Sequence, residues 1–144
     1  MTAATPFFAG SSPPEATHEP AGFVSGGVRT ALRMEGVAVL AAAAALYGHS
    51  GFSWLIFALL FLAPDLSMLA YFAGPRIGAA AYNLAHSYVL AIALAAAGFF
   101  GGSGIAAAGG LIWIAHIGFD RALGYGLKYS TAFGDTHLGR IGRR

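Results

Sequence analysis

The sequence has no cysteine, which excludes disulfides, thiolate metal sites and a cysteine nucleophile. Charge is also scarce: Asp, Glu, Lys and Arg make up 10% of the 144 residues, where a soluble domain carries about a quarter. So few charges cannot cover a water-facing surface, and lipid is the natural solvent for a chain that is 57% hydrophobic with a mean hydropathy of +0.66. There is no P-loop, dinucleotide fingerprint or internal repeat. Glycine pairs such as Gly109-Gly110 therefore read as close helix contacts, not as phosphate cradles. The start of the chain lacks a cationic segment followed by an apolar run and a small-residue cleavage site, so it is not read as a signal peptide.

What is present is apolar and arrives in blocks. A spanning helix needs roughly 20 mostly apolar residues. Four stretches qualify, at 31–47, 53–72, 78–99 and from 105 to about 123, separated by short glycine-containing breaks. An unpaired backbone group in hydrocarbon costs several kcal/mol, so each stretch must be helical. Connections this short force antiparallel neighbours. The expectation is an all-α, integral membrane, up-down four-helix bundle occupying residues 29–129. It is preceded by a disordered tail at 1–28, which holds four of the six prolines (Pro6, Pro13, Pro14 and Pro20), and followed by a basic tail at 130–144.

The basic residues give the orientation. Arg29, Arg33, Arg76, Arg121, Lys128, Arg140, Arg143 and Arg144 all fall on one side of a four-span chain, and the first and third connections have none. The positive-inside rule makes that side cytoplasmic, with both termini there. The basic ending reads as a topology determinant and not as a nucleic-acid patch. Tyr125 and Tyr129 stand where an interfacial aromatic belt is expected.

Ionisable groups within a bilayer are costly, and each marks a candidate functional site. Glu35, Asp65, His86, His116 and Asp120 are distributed over all four spans. Counted at about 1.5 Å per residue, they lie within roughly 6–12 Å of the same interface. His116 and Asp120, four apart, project from one helical face, and Tyr82, Asn83 and His86 share another. Pro64 removes a helical hydrogen bond just before Asp65. Two imidazoles with carboxylates suit zinc, manganese or iron, and an open coordination position would activate water. The plainer alternative is structural: Glu35 paired with Arg33 or Arg121, Asp120 balancing Arg121, and the histidines bonded across helices.

The stretches Leu62 to Leu69, Tyr82 to Ser87 and Ala115 to Tyr129, with the ending Gly134-Asp-Thr-His-Leu-Gly139, resemble an uncharacterised bacterial family of small four-span membrane proteins, a domain of unknown function. The resemblance runs from Leu32 to Gly139 and implies the fold and a place in the bacterial inner membrane. A second resemblance is to the SOS-regulated inner-membrane family assigned as metal-dependent hydrolases. In that family a Pro-Asp, a His-Ser and a His-x-x-x-Asp follow in order, as Pro64-Asp65, His86-Ser87 and His116 to Asp120 do here. This chain offers Glu35 where that family has an early histidine, and Ser67 where it has a second acidic residue.

The expected function is a membrane-embedded, metal-dependent hydrolase acting on a lipid or other amphiphile near the cytoplasmic leaflet. Asp65, His86, His116 and Asp120 would hold the metal, and Glu35 would be a fifth ligand or the general base. Tyr82, Asn83 and Arg121 would support them. Asp135 and His137 are either ordinary tail residues or groups that fold back to complete or cover the site. The alternatives are a proton or metal-ion relay working in a homo-oligomer, a bis-histidine haem protein using His86 and His116, and a purely structural subunit.

Overall fold

The computed structural model describes residues 22–141, so the tail expected at 1–28 lies, up to residue 21, outside the described residues, as do Arg143 and Arg144. Helix α1 is Gly26–Gly48 and begins before the expected Ala31. The second span is continuous over Trp54–Ala73 but changes character on the way. It is an α-helix, α2, over Trp54–Phe61 and a 3-10 helix over Ala63–Ala73. The third span is two helices, α3 Pro75–Ala85 and α4 Tyr88–Phe100, and the fourth is α5 Gly104–Leu123. The four spans alternate in direction, giving the expected all-α membrane bundle with up-down order.

Three of these spans, Gly26–Gly48, Trp54–Ala73 and Pro75–Phe100, are long and apolar enough to cross a membrane. α5 is as long as the second at 20 residues, but it carries His116, Asp120 and Arg121 and is the most buried helix. It forms the centre, packed between α1 and α4, while α3 packs on the 3-10 segment. The second span buries none of its residues. Leu55, Leu59, Leu66, Leu69 and Phe72 all point outward. In water this surface would drive aggregation, whereas in lipid it is the solvated face.

Small residues set the helix spacing. At Gly118 of α5, an added Cβ would stand 2.8 Å from the Leu40 nitrogen and 2.9 Å from the Gly36 oxygen of α1. α1 therefore meets α5 along Gly36, Leu40, Ala43 and Tyr47, a stripe with the spacing of a close helix seam. Tyr47 is fully buried and donates its hydroxyl to the Ser53 carbonyl, closing the end of the bundle away from the basic residues.

The single third span expected over 78–99 is instead interrupted at His86-Ser87. Ser87 has an extended backbone, and its hydroxyl accepts the Val89 N–H as the N-cap of α4. Two carbonyls at this break are paired from α5: Trp113 Nε1 donates to Ala85, and Arg121 donates to His86 over 3.3 Å. Irregular backbone at membrane depth needs such partners.

Beyond α5 the chain turns back over the bundle. Gly124 has φ of 95°, where its lack of a Cβ matters. The Gly124 N–H reaches Arg121 O, and the Tyr125 N–H reaches Asp120 O over 2.7 Å, a Schellman ending. The returning chain makes a short antiparallel hairpin, β1 Asp135–Thr136 with β2 Gly139–Arg140. Asn83 of α3 clamps it: its Oδ1 accepts the Lys128 N–H (2.7 Å) and its Nδ2 donates to the Lys128 carbonyl (2.9 Å).

Candidate metal centre

Each of the three carriers of the centre positions its residue through a local feature of sequence. Pro64 stands at the start of the 3-10 segment. With three residues per turn, Asp65, Met68 and Tyr71 align on one face, and Asp65 looks inward at the bundle end bearing the basic residues. His86 caps the C-terminus of α3 at the break, just past Ala85, and its ring points into the bundle, where it meets His116. His116 and Asp120, one turn apart, look the same way from the buried face of α5.

The four side chains meet. His86 Nε2 lies 3.1 Å from His116 Nε2, 3.4 Å from Asp65 Oδ1 and 3.5 Å from Asp120 Oδ2. His116 Nε2 lies 3.6 Å from Asp65 Oδ1 and 3.9 Å from Asp120 Oδ2. All four ligand atoms fall within 4.8 Å of one another. Four donors at about 2.0–2.2 Å from one ion in tetrahedral array would stand about 3.3–3.6 Å apart. The five separations that involve a histidine, 3.1–3.9 Å, bracket that range.

Packing and hydrogen bonds hold the donors in place. His86 Nδ1 lies 2.9 Å from the Tyr82 carbonyl oxygen. It donates there, which leaves the lone pair on Nε2 facing the centre. The Tyr82 ring stacks on His86 at 3.7 Å between centroids, and its hydroxyl donates to Asp120 Oδ2 over 3.0 Å. Phe61 packs edge-on against His116. Both histidines are buried, and His116 Nδ1 has no partner among the described residues. The two carboxylates differ: the Asp65 side chain is 30% exposed and that of Asp120 11%.

The donor chemistry has an electrostatic consequence. Among the described residues no Lys or Arg lies within 4 Å of either carboxylate. Two carboxylates side by side at low dielectric need compensation, and a divalent cation would cancel their formal charge. The same geometry is unsuited to haem: axial imidazoles on one iron stand about 4 Å apart with the macrocycle between them. A 3.1 Å Nε2 separation leaves it no room.

The structure places the other expected residues elsewhere. Glu35 is exposed on α1 and does not join the group. It shares the depth of the cluster, but α1 faces α5 through Gly36, so the carboxylate one residue earlier is turned away. Asp135 is occupied by Arg140 Nε at 3.1 Å and by the Thr131 hydroxyl at 2.8 Å. His137 accepts the Leu127 N–H at Nδ1 over 2.9 Å and sits against Arg121. Burial, and then the Arg121 charge, push its imidazole below the usual histidine range. It reaches the centre only through Arg121, whose other nitrogen holds the His86 carbonyl. Tyr82, Asn83 and Arg121 are all in supporting contact with the centre or its cover.

Lys128 is the residue that sequence reasoning passed over, having counted it only as a topology determinant. It is buried, with Nζ 3.6 Å from the Phe133 ring centroid, 4.7 Å from that of Tyr82 and 2.9 Å from the Phe133 carbonyl. Burial pushes its ammonium below the usual lysine range. With Asp65, Met68, Tyr82, Asp120 and Phe133 it lines a cavity of about 350 Å³ beside the centre. Gly124 after the last apolar run was the available signal that the chain would return.

No match was found among curated proteins or among solved structures. The family model for a domain of unknown function (DUF4260) matches residues 29–141, which takes in all four spans and the returning hairpin. This chain belongs to that family.

Proposed function

We propose that Asp65, His86, His116 and Asp120 hold one divalent metal ion, and that the protein is a membrane-embedded metal-dependent hydrolase of a lipid or other amphiphile. The observation that carries this reading is the convergence of four ligand atoms from three separate segments, all within 4.8 Å of one another, where among the described residues no Lys or Arg lies within 4 Å of either carboxylate. Zinc, manganese or iron would suit the donors, and a bound ion would supply a Lewis acid and lower the pKa of a water. Tyr82 orients His86 from its carbonyl and Asp120 from its hydroxyl, the outer contacts that fix such ligands. Asp65, the more open carboxylate, faces the cavity and is the group placed to take a proton there in place of Glu35. Phe61 and Phe119 close the apolar side against water.

The bundle end that carries the centre also carries Arg29, Arg33, Arg76, Arg121 and Lys128, and the positive-inside rule assigns it to the cytoplasm. On this reading the substrate comes from the inner leaflet of a bacterial cytoplasmic membrane, and nucleic acid has no part.

Elemental mass spectrometry of protein purified in detergent without chelator tests the reading. The expected result is near one equivalent of a transition metal, lost in His86→Ala and His116→Ala while circular dichroism stays helical. Folded wild-type protein that takes up neither zinc, manganese nor iron when offered them would overturn it.

A further inference from the structure

The cavity beside the centre has a cation at one wall and the metal donors at another. Lys128 Nζ uses one of its three donors, on the Phe133 carbonyl, and makes no ion pair among the described residues. Its place is fixed from both sides. Asn83 holds its backbone N–H and carbonyl together, and Lys128 pairs with Thr136 of the hairpin. A lysine wanted only for topology needs neither burial nor a backbone clamp.

Building on the metal reading, we propose that Lys128 anchors the negative oxygen of a phosphodiester in this cavity, and that the substrate class is a phosphodiester-bearing amphiphile. The formal charges lining the cavity are those of Asp65, Asp120 and Lys128. A divalent ion cancels the two carboxylates and leaves the single positive charge of the lysine. A monoanion balances it. The charge must also sit at the scissile group, because the lysine and the metal donors line the same cavity of about 350 Å³. A carboxylic ester is neutral there and leaves the buried ammonium unpaired, whereas a phosphodiester offers one oxygen to each wall. Hydrolysis adds water across one P–O ester bond, the hydroxyl going to phosphorus and the proton to the leaving alkoxide.

The test is titration calorimetry on the full chain in detergent, with metal content assayed on each sample. The probes are dibutyl phosphate, neutral tributyl phosphate and pentanoate. Dibutyl phosphate should bind the wild type best. Lys128→Met should weaken it by about tenfold or more, the scale of a lost hydrogen bond to a charged group, with metal content unchanged. Lys128→Arg should recover most of the loss. Equal binding of dibutyl phosphate by wild type and Lys128→Met would overturn the proposal. So would equal binding of tributyl phosphate or pentanoate by the wild type, a comparison that stands even where the methionine variant does not fold. Metal present without this discrimination refutes the phosphodiester assignment alone. Metal absent from the wild type refutes the metal reading and this one with it.

Discussion

On one side of α5 stands α1, a single helix of 23 residues held close by Gly36 and Gly118. On the other side both spans are irregular. The second tightens into a 3-10 helix after Leu62, and the third breaks at His86-Ser87. The regular pair contributes its donors from α5 alone, through His116 and Asp120. The irregular pair contributes Asp65 and His86, each at its irregularity. An unbroken helix can present donors only at its fixed spacing of three and four residues. Bringing in a ligand from each of two further segments took a change of helical pitch in one and an interruption in the other. α1 and α5 form the frame, and the irregular spans are shaped to the site.

The frame should be the most sensitive to volume. Gly118→Leu would drive a side chain into the Leu40 nitrogen and the Gly36 carbonyl, backbone groups that cannot step aside. Overpacking of this kind costs about 1–3 kcal/mol or more, and thermal unfolding in detergent should show a large fall in midpoint. A midpoint close to wild type would mean that α1 and α5 are free to separate, and the contrast between the two halves would fail.

Much of this was legible in the sequence. Four apolar blocks gave the spans, and the shared depth of Asp65, His86, His116 and Asp120 anticipated their meeting. Depth says nothing of helix rotation, and Glu35 shows the consequence: one residue from the α1 seam, it is turned outward by the helical twist. Pro64 announced a disturbance but not a 3-10 run of 11 residues. Ser87 was a readable N-cap signal inside an apolar block, masked by the unbroken hydropathy around it. The fold-back of Lys128 depends on pairing with Asn83, 45 residues away, and no local pattern encodes that.

The broken span should respond less, and more locally. Arg121→Met leaves the His86 carbonyl without its partner. A buried group left unsatisfied costs about 1–3 kcal/mol. The expected outcome is modest destabilisation with a clear loss of metal affinity, since His86 is released. A metal titration monitored by calorimetry would check it. Affinity unchanged in a stable variant would show that the break needs no support from α5.

The smallest effect should come from the cover. His137 has its pKa lowered by burial, so the unfolded chain binds the proton more readily than the folded one. The stabilisation it gives the hairpin is full above its unfolded pKa of about 6.5 and is lost as the pH falls through the lower folded value. Protonation also removes the Nδ1 acceptor of the Leu127 N–H. The protection factor at Leu127, its exchange rate set against the intrinsic rate at the same pH, should fall on acidification, and His137→Gln should flatten that dependence. A protection factor that does not change with pH would detach His137 from the stability of the cover.

The central claim is that three segments deliver four ligands to one ion. X-ray absorption at the edge of the bound metal tests it most directly. The account predicts a first shell of nitrogen and oxygen at about 2.0–2.2 Å, with the outer-shell scattering of two imidazoles in the wild-type protein. A bound metal with the scattering of one imidazole or of none would contradict it.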